Sequence, residues 1–217
     1  SNLGTVLSDL GKLKEAEKYY RIAINIDPKY VEAHFNLGNI LNDLDELEEA
    51  EKYYRKAISI NPNHAKAHSN LGTILSDIGK LKEAETYYRK AIIINPNLAE
   101  IHSNLGNVLR DLNMPAEAEK SYREAIRINS DYAEAYSNLG TILSDIGKLK
   151  EAETYYRKAI IINPNLATAY YSLSLLLIKQ KKFIEGFKNY EWRWKVKDRK
   201  TSIGIKLETS KPEWTPT

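Results

Sequence analysis

No cysteine occurs in the 217 residues, which excludes disulfides and thiolate metal sites and suits a reducing interior. No window approaches the roughly 18 consecutive apolar residues that a membrane span needs, and no stretch has the organisation of a signal peptide. The short motifs that carry chemistry are missing as well: there is no Walker loop, no G-x-G-x-x-G, no G-x-S-x-G and no H-E-x-x-H. Acidic groups are plentiful but recur in register instead of converging on one spot. The chain therefore reads as no enzyme, with no cofactor and no metal site, in a cytoplasmic setting. Its composition, 42% hydrophobic and 28% charged, is that of an ordinary soluble protein. It begins at Ser1 inside a patterned segment, and the expectation is a piece of a longer protein.

What the chain has in abundance is repetition. "SNLGTILSDIGKLKEAETYYRKAIIINPNLA" fills residues 69–99 and returns unchanged at 137–167. The underlying period is 34, since Gly4, Gly38, Gly72, Gly106 and Gly140 recur at that interval, each after Asn-Leu, with Ser174 in the next place. With this glycine numbered position 8 of each repeat, position 20 holds Ala16, Ala50, Ala84, Ala118 and Ala152. Position 24 holds Tyr20, Tyr54, Tyr88, Tyr122, Tyr156 and Tyr190, and position 27 holds Ala23, Ala57, Ala91, Ala125 and Ala159. Position 32 holds Pro28, Pro62, Pro96 and Pro164, with Ser130 as the exception.

Inside one repeat, Ala67, Leu71, Ile74, Leu75 and Ile78 fall at helical spacing, as do Leu81, Ala84, Tyr88, Ala91 and Ile92. Gly79 between the two sets predicts a left-handed stop for the first helix. Asn95-Pro96-Asn97 ends the second, because a residue before proline is pushed out of the helical region. Small residues at positions 8 and 20 allow two helices to approach closely. Such a hairpin buries its apolar face only by stacking on neighbours, which is how one segment serves twice.

This pattern closely resembles the tetratricopeptide repeat, L-G…A-x-x-x-Y…A…P. The resemblance implies an all-α, right-handed superhelical solenoid of about six hairpins over residues 1–200, with repeats 1–30, 31–64, 65–98, 99–132, 133–166 and 167–200. The last repeat is degenerate and capping, and 201–217 is an extended tail or the start of a linker. Position 9 alternates Thr5, Asn39, Thr73, Asn107, Thr141, and position 15 alternates Gly11, Asp45, Gly79, Asn113, Gly147, so the duplicated unit is a pair of repeats.

Function must lie on the surface that stacking leaves open. Positions 2, 6, 9 and 13 of the first helix share one face at about 100° per residue. Position 6 is Asn2, Asn36, Asn70, Asn104 and Asn138. Position 13 is Asp9, Asp43, Asp77, Asp111 and Asp145, and position 2 is Glu32, Lys66, Glu100 and Glu134. Together with Thr5, Asn39, Thr73, Asn107 and Thr141 they form a polar, mildly acidic ladder that the stack turns inward. An asparagine amide matches the N–H and C=O of a peptide backbone, so the expected ligand is an extended polypeptide. The ladder resembles the arm of the O-linked N-acetylglucosamine transferase family, which implies backbone-gripping asparagines at these positions. It lacks the Lys/Arg clamp of chaperone-tail adaptors.

Other readings compete. Glu100 follows Asn97 by three residues and Glu134 follows Asp131 likewise, the spacing of a capping box. The asparagines serve equally as bonds between adjacent repeats. His34, His68 and His102 share position 4 and read as packing, and a metal held by His64 and His68, four apart beside the Pro62 turn, is disfavoured. Residues 179–200 hold nine Lys/Arg against three Asp/Glu, a basic end that leaves nucleic acid as a minor alternative, beside self-association. "FIEGFKNYEWRWKVKDRK", 183–200, departs from the repeat, with Trp192 and Trp194 expected in the last helix. It resembles the junction of bacterial repeat proteins with a glycosyltransferase-like domain, and equally reads as an aromatic cap.

Overall fold

The computed structural model describes residues 2–196, which form twelve α-helices and a closing 3₁₀ turn, with no strand among them. They fall into two compact units, one up to Asn113 and one from Met114. The first contains α1 (Asn2–Asp9), α2 (Leu13–Ile26), α3 (Val31–Asp43), α4 (Leu47–Ile60), α5 (Ala65–Asp77), α6 (Leu81–Ile94) and α7 (Ala99–Asp111). The second contains α8 (Pro115–Ile128), α9 (Ala133–Asp145), α10 (Leu149–Ile162), α11 (Ala167–Lys179), α12 (Phe183–Tyr190) and the 3₁₀ turn Glu191–Lys195. The division falls between the two helices of segment 99–132. The tail expected over 201–217 lies outside the described residues.

In the first unit α1–α2, α3–α4 and α5–α6 pack as hairpins, and α2, α4 and α6 each also touch the helix that follows. In the second, α9–α10 and α11–α12 are the hairpins, with α8 on α9 and α10 on α11. The turn within a hairpin is set by position 15. Gly11, Asp45, Gly79, Asn113, Gly147 and Lys181 all have positive φ, between 60° and 81°. Around Gly11 the Lys12 N–H reaches the Leu7 carbonyl and the Gly11 N–H reaches Ser8, each at 2.8 Å, which closes the helix end as a Schellman motif. The Gly/Asp/Gly/Asn alternation thus follows from one demand, met by the residue types that tolerate this region best.

Lys181 is the one long side chain at this position. A Lys181→Gly variant is expected to gain about 0.5–1 kcal/mol, because relief of the left-handed strain exceeds the entropy added to the unfolded chain. Thermal unfolding followed by circular dichroism measures this, and an unchanged or lower Tm contradicts it.

The second helices end on an Asp or Asn whose side chain replaces the lost backbone bonds. Asp27, Asn61, Asn95, Asn129 and Asn163 each accept, through Oδ1, the N–H two residues on, at 2.9–3.2 Å. Asn129 does this where Ser130 replaces proline, so the turn survives the substitution.

Within each unit the core is a column of tyrosine rings against glycine. Tyr20, Tyr54, Tyr88, Tyr122 and Tyr156 are buried, and so are the alanines of position 20. A Cβ added at Gly38 would lie 2.7 Å from the Tyr54 ring, and one at Gly140 would lie 2.8 Å from Tyr156. The glycine therefore makes room for a ring, not for a helix backbone. In the last hairpin the small residue changes sides: Ser174 takes the glycine's place and Gly186 the alanine's, where a Cβ would meet Ile178 Cγ1 at 2.8 Å.

A second ladder, which the sequence pattern did not show, runs over the second helices. Arg21 binds Glu17 of its own helix at 2.9 Å, Glu49 of the next second helix at 3.2 Å and the Tyr53 hydroxyl at 2.8 Å. Arg55 repeats this with Glu51, Glu83 and Tyr87, and Arg123 with Glu119, Glu151 and Tyr155. Glu51, Glu119 and Glu153 also take a lysine from the following repeat, Lys80, Lys148 and Lys182, whereas Glu17 takes Lys14 of its own helix. Each pair is half exposed and worth about 0–1 kcal/mol. In the last hairpin the ladder stops, with Phe187 in the glutamate's place and Glu191 in the arginine's.

Candidate binding face on the first helices

The proposed ladder lies on α1, α3, α5 and α7 in the first unit and on α9 in the second. Asn36, Asn70, Asn104 and Asn138 are half-buried in mid-helix, and Asn2 opens α1. Mid-helix asparagine is locally unfavourable, because its side chain competes for backbone bonds. Asn36 and Asn104 have no intramolecular hydrogen-bond partner among the described residues. The Asn70 amide, by contrast, donates to Asn39 Oδ1 at 2.9 Å and lies 3.5 Å from the Tyr54 hydroxyl.

Position 9 is tied to the tyrosine column. Thr5 meets the Tyr20 hydroxyl at 3.0 Å, Asn39 accepts from Tyr54 at 2.8 Å, Thr73 meets Tyr88 at 2.9 Å and Thr141 accepts from Tyr156 at 3.2 Å. These residues satisfy phenols that are otherwise buried. Asn107 occupies the same register position on α7 and is half-buried. Burial pushes the Tyr54, Tyr88 and Tyr156 phenols up, Tyr88 to about 12. Their hydrogen bonds with Asn70, Thr73 and Thr141 oppose the shift, and Asp43, Asp77 and Asp145 add to it.

The position-13 aspartates are exposed, and each is the final residue of its helix. A carboxylate at a helix C-terminus faces the negative end of the macrodipole and costs about 0.3–1 kcal/mol. Asp111 offsets this with Arg110, at 3.0 Å. Fold stability gives no reason for acid here. Glu32, Glu100 and Glu134 sit exposed in the first turns of α3, α7 and α9, where the dipole favours them.

The capping boxes expected at Asn97–Glu100 and Asp131–Glu134 do not form. The N-caps are Leu98 and Tyr132, with no side-chain cap bond. Asn97 and Asp131 lie a residue too early, with their N–H groups held by Asn95 and Asn129. His64 supplies a cap that the sequence did not reveal, its Nδ1 accepting the Ala67 N–H at 3.1 Å. His34, His68 and His102 are buried and bond the carbonyls of Pro28, Pro62 and Pro96 at 2.9–3.0 Å, so position 4 is packing. Among the described residues no three His, Cys, Asp or Glu side chains are gathered to hold a metal, and no helix is long and apolar enough to cross a membrane.

Trp192 and Trp194 lie beyond the last helix, in the 3₁₀ turn that packs on α11. The Trp192 ring stacks on Tyr170 at 4.1 Å and 5°, with Lys195 over it at 4.1 Å, while Arg193 sits over Tyr190 and Trp194. The helix gives way after Tyr190 to this 3₁₀ turn, whose flat Trp192–Tyr170 stack lies on α11.

Repeated hairpins with this turn, this tyrosine column and this spacing have a known counterpart. Sequence models described as tetratricopeptide repeat match residues 31–64, 65–98, 133–166 and 87–120, and one described as TPR repeat matches 4–45 and 106–147. The chain belongs to the tetratricopeptide repeat (TPR) family. Among curated proteins none matches it in sequence. Among solved structures it is similar to MamA, at 26% identity and a TM-score of 0.65 over 72% of this chain and 91% of MamA. It is also similar to YrrB, a TPR protein with an unusual peptide-binding site, at 24% identity and a TM-score of 0.65 over 80% of this chain and 89% of YrrB. PilF of Pseudomonas aeruginosa shares the fold at 22% identity and a TM-score of 0.77, over 87% of this chain and 86% of its own. The fold is thus an all-α TPR array, and a protein-interaction scaffold is the class of function that this membership supports.

Proposed function

We propose that the polar face of the first helices binds an extended polypeptide through its backbone. The observation that carries this reading is the pair Asn36 and Asn104, mid-helix carboxamides with no partner of their own among the described residues. Each offers a donor and an acceptor in the geometry of a peptide unit. Asp43, Asp77 and Asp111, exposed at helix ends that disfavour acid, fit a ligand with basic side chains beside the gripped backbone. Chemistry has no part in this role. A second reading, an array that presents its last hairpin to a following domain, draws on Phe183, Ile184 and Phe187, which α12 leaves exposed.

A library of unstructured peptides is the test, with wild type and the Asn36→Ala/Asn104→Ala variant side by side. The expected result is capture by the wild type and at least about tenfold weaker capture by a variant of equal helicity, since each lost bond is worth about 0.5–1.5 kcal/mol. Equal capture by both proteins rules the grip out.

A further inference from the structure

The asparagine ladder looks uniform in sequence and is not uniform in structure. Asn70 is bonded to the preceding repeat while Asn36 and Asn104 are not. The difference lies in position 9 of the repeat before. Asn70 is preceded by Asn39, whose Oδ1 accepts two donors, the Tyr54 hydroxyl at 2.8 Å and the Asn70 amide at 2.9 Å. A carbonyl oxygen has two lone pairs for this, and the carboxamide is one atom longer than a threonine side chain. Asn36 and Asn104 are preceded by Thr5 and Thr73. Thr73 Oγ1 donates to the Ser69 carbonyl at 3.3 Å and meets Tyr88 at 2.9 Å, which fixes the tyrosine as donor. Its short side chain bonds only within its own hairpin, and the Asn104 amide stays unclaimed.

We propose that position 9 is a selector: asparagine there turns the next repeat's position-6 asparagine into scaffold, and threonine leaves it for ligand. Within residues 1–113 the peptide-gripping amides are therefore Asn36 and Asn104, and Asn70 belongs to the Asn39–Tyr54–Asn70 cluster. This rests on the peptide-binding reading above and sharpens it. Two repeats at about 10 Å each place consecutive grips about 20 Å apart. That is about six residues of extended chain at about 3.3 Å per residue, twice the spacing that a uniform ladder implies. The ligand is thus a polypeptide held at every sixth backbone unit or so, with the residues between left to side-chain selection by the exposed aspartates.

Two swaps in the full chain test the selector, each borrowing a residue already used in that register elsewhere, so the fold is kept. Thr73→Asn is expected to engage the Asn104 amide, and Asn39→Thr to release Asn70. Side-chain amide hydrogen exchange by NMR reads this without any ligand. In the wild type the Asn70 Nδ2 protons exchange more slowly than those of Asn36 and Asn104. Thr73→Asn slows Asn104, and Asn39→Thr brings Asn70 up to the rate of Asn36. With the tightest-binding peptide of the library as probe, Thr73→Asn weakens binding about three- to tenfold, as Asn104→Ala does, and Asn70→Ala changes it less than twofold. The selector is overturned if the three wild-type amides exchange alike, if Thr73→Asn leaves Asn104 unchanged, or if Asn70→Ala weakens the peptide as much as Asn104→Ala. A wild type with the expected exchange pattern that captures no peptide overturns the grip itself, and with it the assignment of Asn36 and Asn104 to a ligand.

Discussion

Tyr54→Ala is expected to remove about 3–5 kcal/mol of stability, the range for deleting a buried aromatic ring. The ring is 1% exposed and fills the space that Gly38 leaves, where even a Cβ would come within 2.7 Å of it. Its hydroxyl donates to Asn39 at 2.8 Å, so truncation also strips one donor from the cluster that joins α3 to α5. Tyr54→Phe separates the two contributions and is expected to cost only about 1 kcal/mol, the usual net worth of one hydrogen bond. Urea unfolding of both variants gives the comparison. An alanine variant within about 1 kcal/mol of wild type would mean that the column tolerates a hole and that the glycine register is not about the ring.

The same column makes the protein sensitive to alkali. Burial raises the Tyr54, Tyr88 and Tyr156 phenols above their ordinary value, Tyr88 to about 12. In the unfolded chain a tyrosine releases its proton near pH 10. Between pH 10 and 12 the unfolded state therefore sheds protons that the folded state keeps, and stability falls as pH rises. For Tyr88 alone the loss is about 2–3 kcal/mol by pH 12, because a tenfold difference in proton affinity between the two states is worth about 1.36 kcal/mol. Tyr54 and Tyr156 add to it, so helix content is expected to collapse cooperatively in this window. Phenolate absorbance and circular dichroism followed together provide the check. If all of the phenolate absorbance developed near pH 10 with the helices intact, the column would be wetter than the structure describes.

The hairpins were legible because a repeat protein writes its contacts into its period. Each repeat meets only its neighbours, so a residue buried in one inner repeat is buried in the others, as Tyr54, Tyr88 and Tyr122 are, while Ala23 and Tyr190, nearer the two ends, are only half-buried. The stop at Gly79 was legible for the same reason, being one of six left-handed positions. What stayed hidden was the partner of each polar group. Asn39 and Asn36 are one turn apart on one face, yet Asn39 is bound to a phenol and Asn36 has no partner among the described residues. Short polar side chains give no sequence sign of which way they are used. The capping boxes failed through a competitor at the same spot, since Asn95 and Asn129 had already bent the chain and moved the helix start past Asn97 and Asp131. The links of the arginine ladder between repeats were invisible because those partners stand 28 and 32 residues apart, beyond any helical spacing.

That ladder also sets which neighbour a hairpin accepts. A hairpin that follows must offer a glutamate and a tyrosine to the arginine before it, as Glu49 and Tyr53 do to Arg21. The last hairpin carries Glu191 at the register of that arginine and Phe187 at the register of its own-helix glutamate. A further copy of the repeat stacked on it would set Glu191 against the glutamate of the newcomer, carboxylate against carboxylate. The last hairpin thus breaks the register of charge as well as the register of shape.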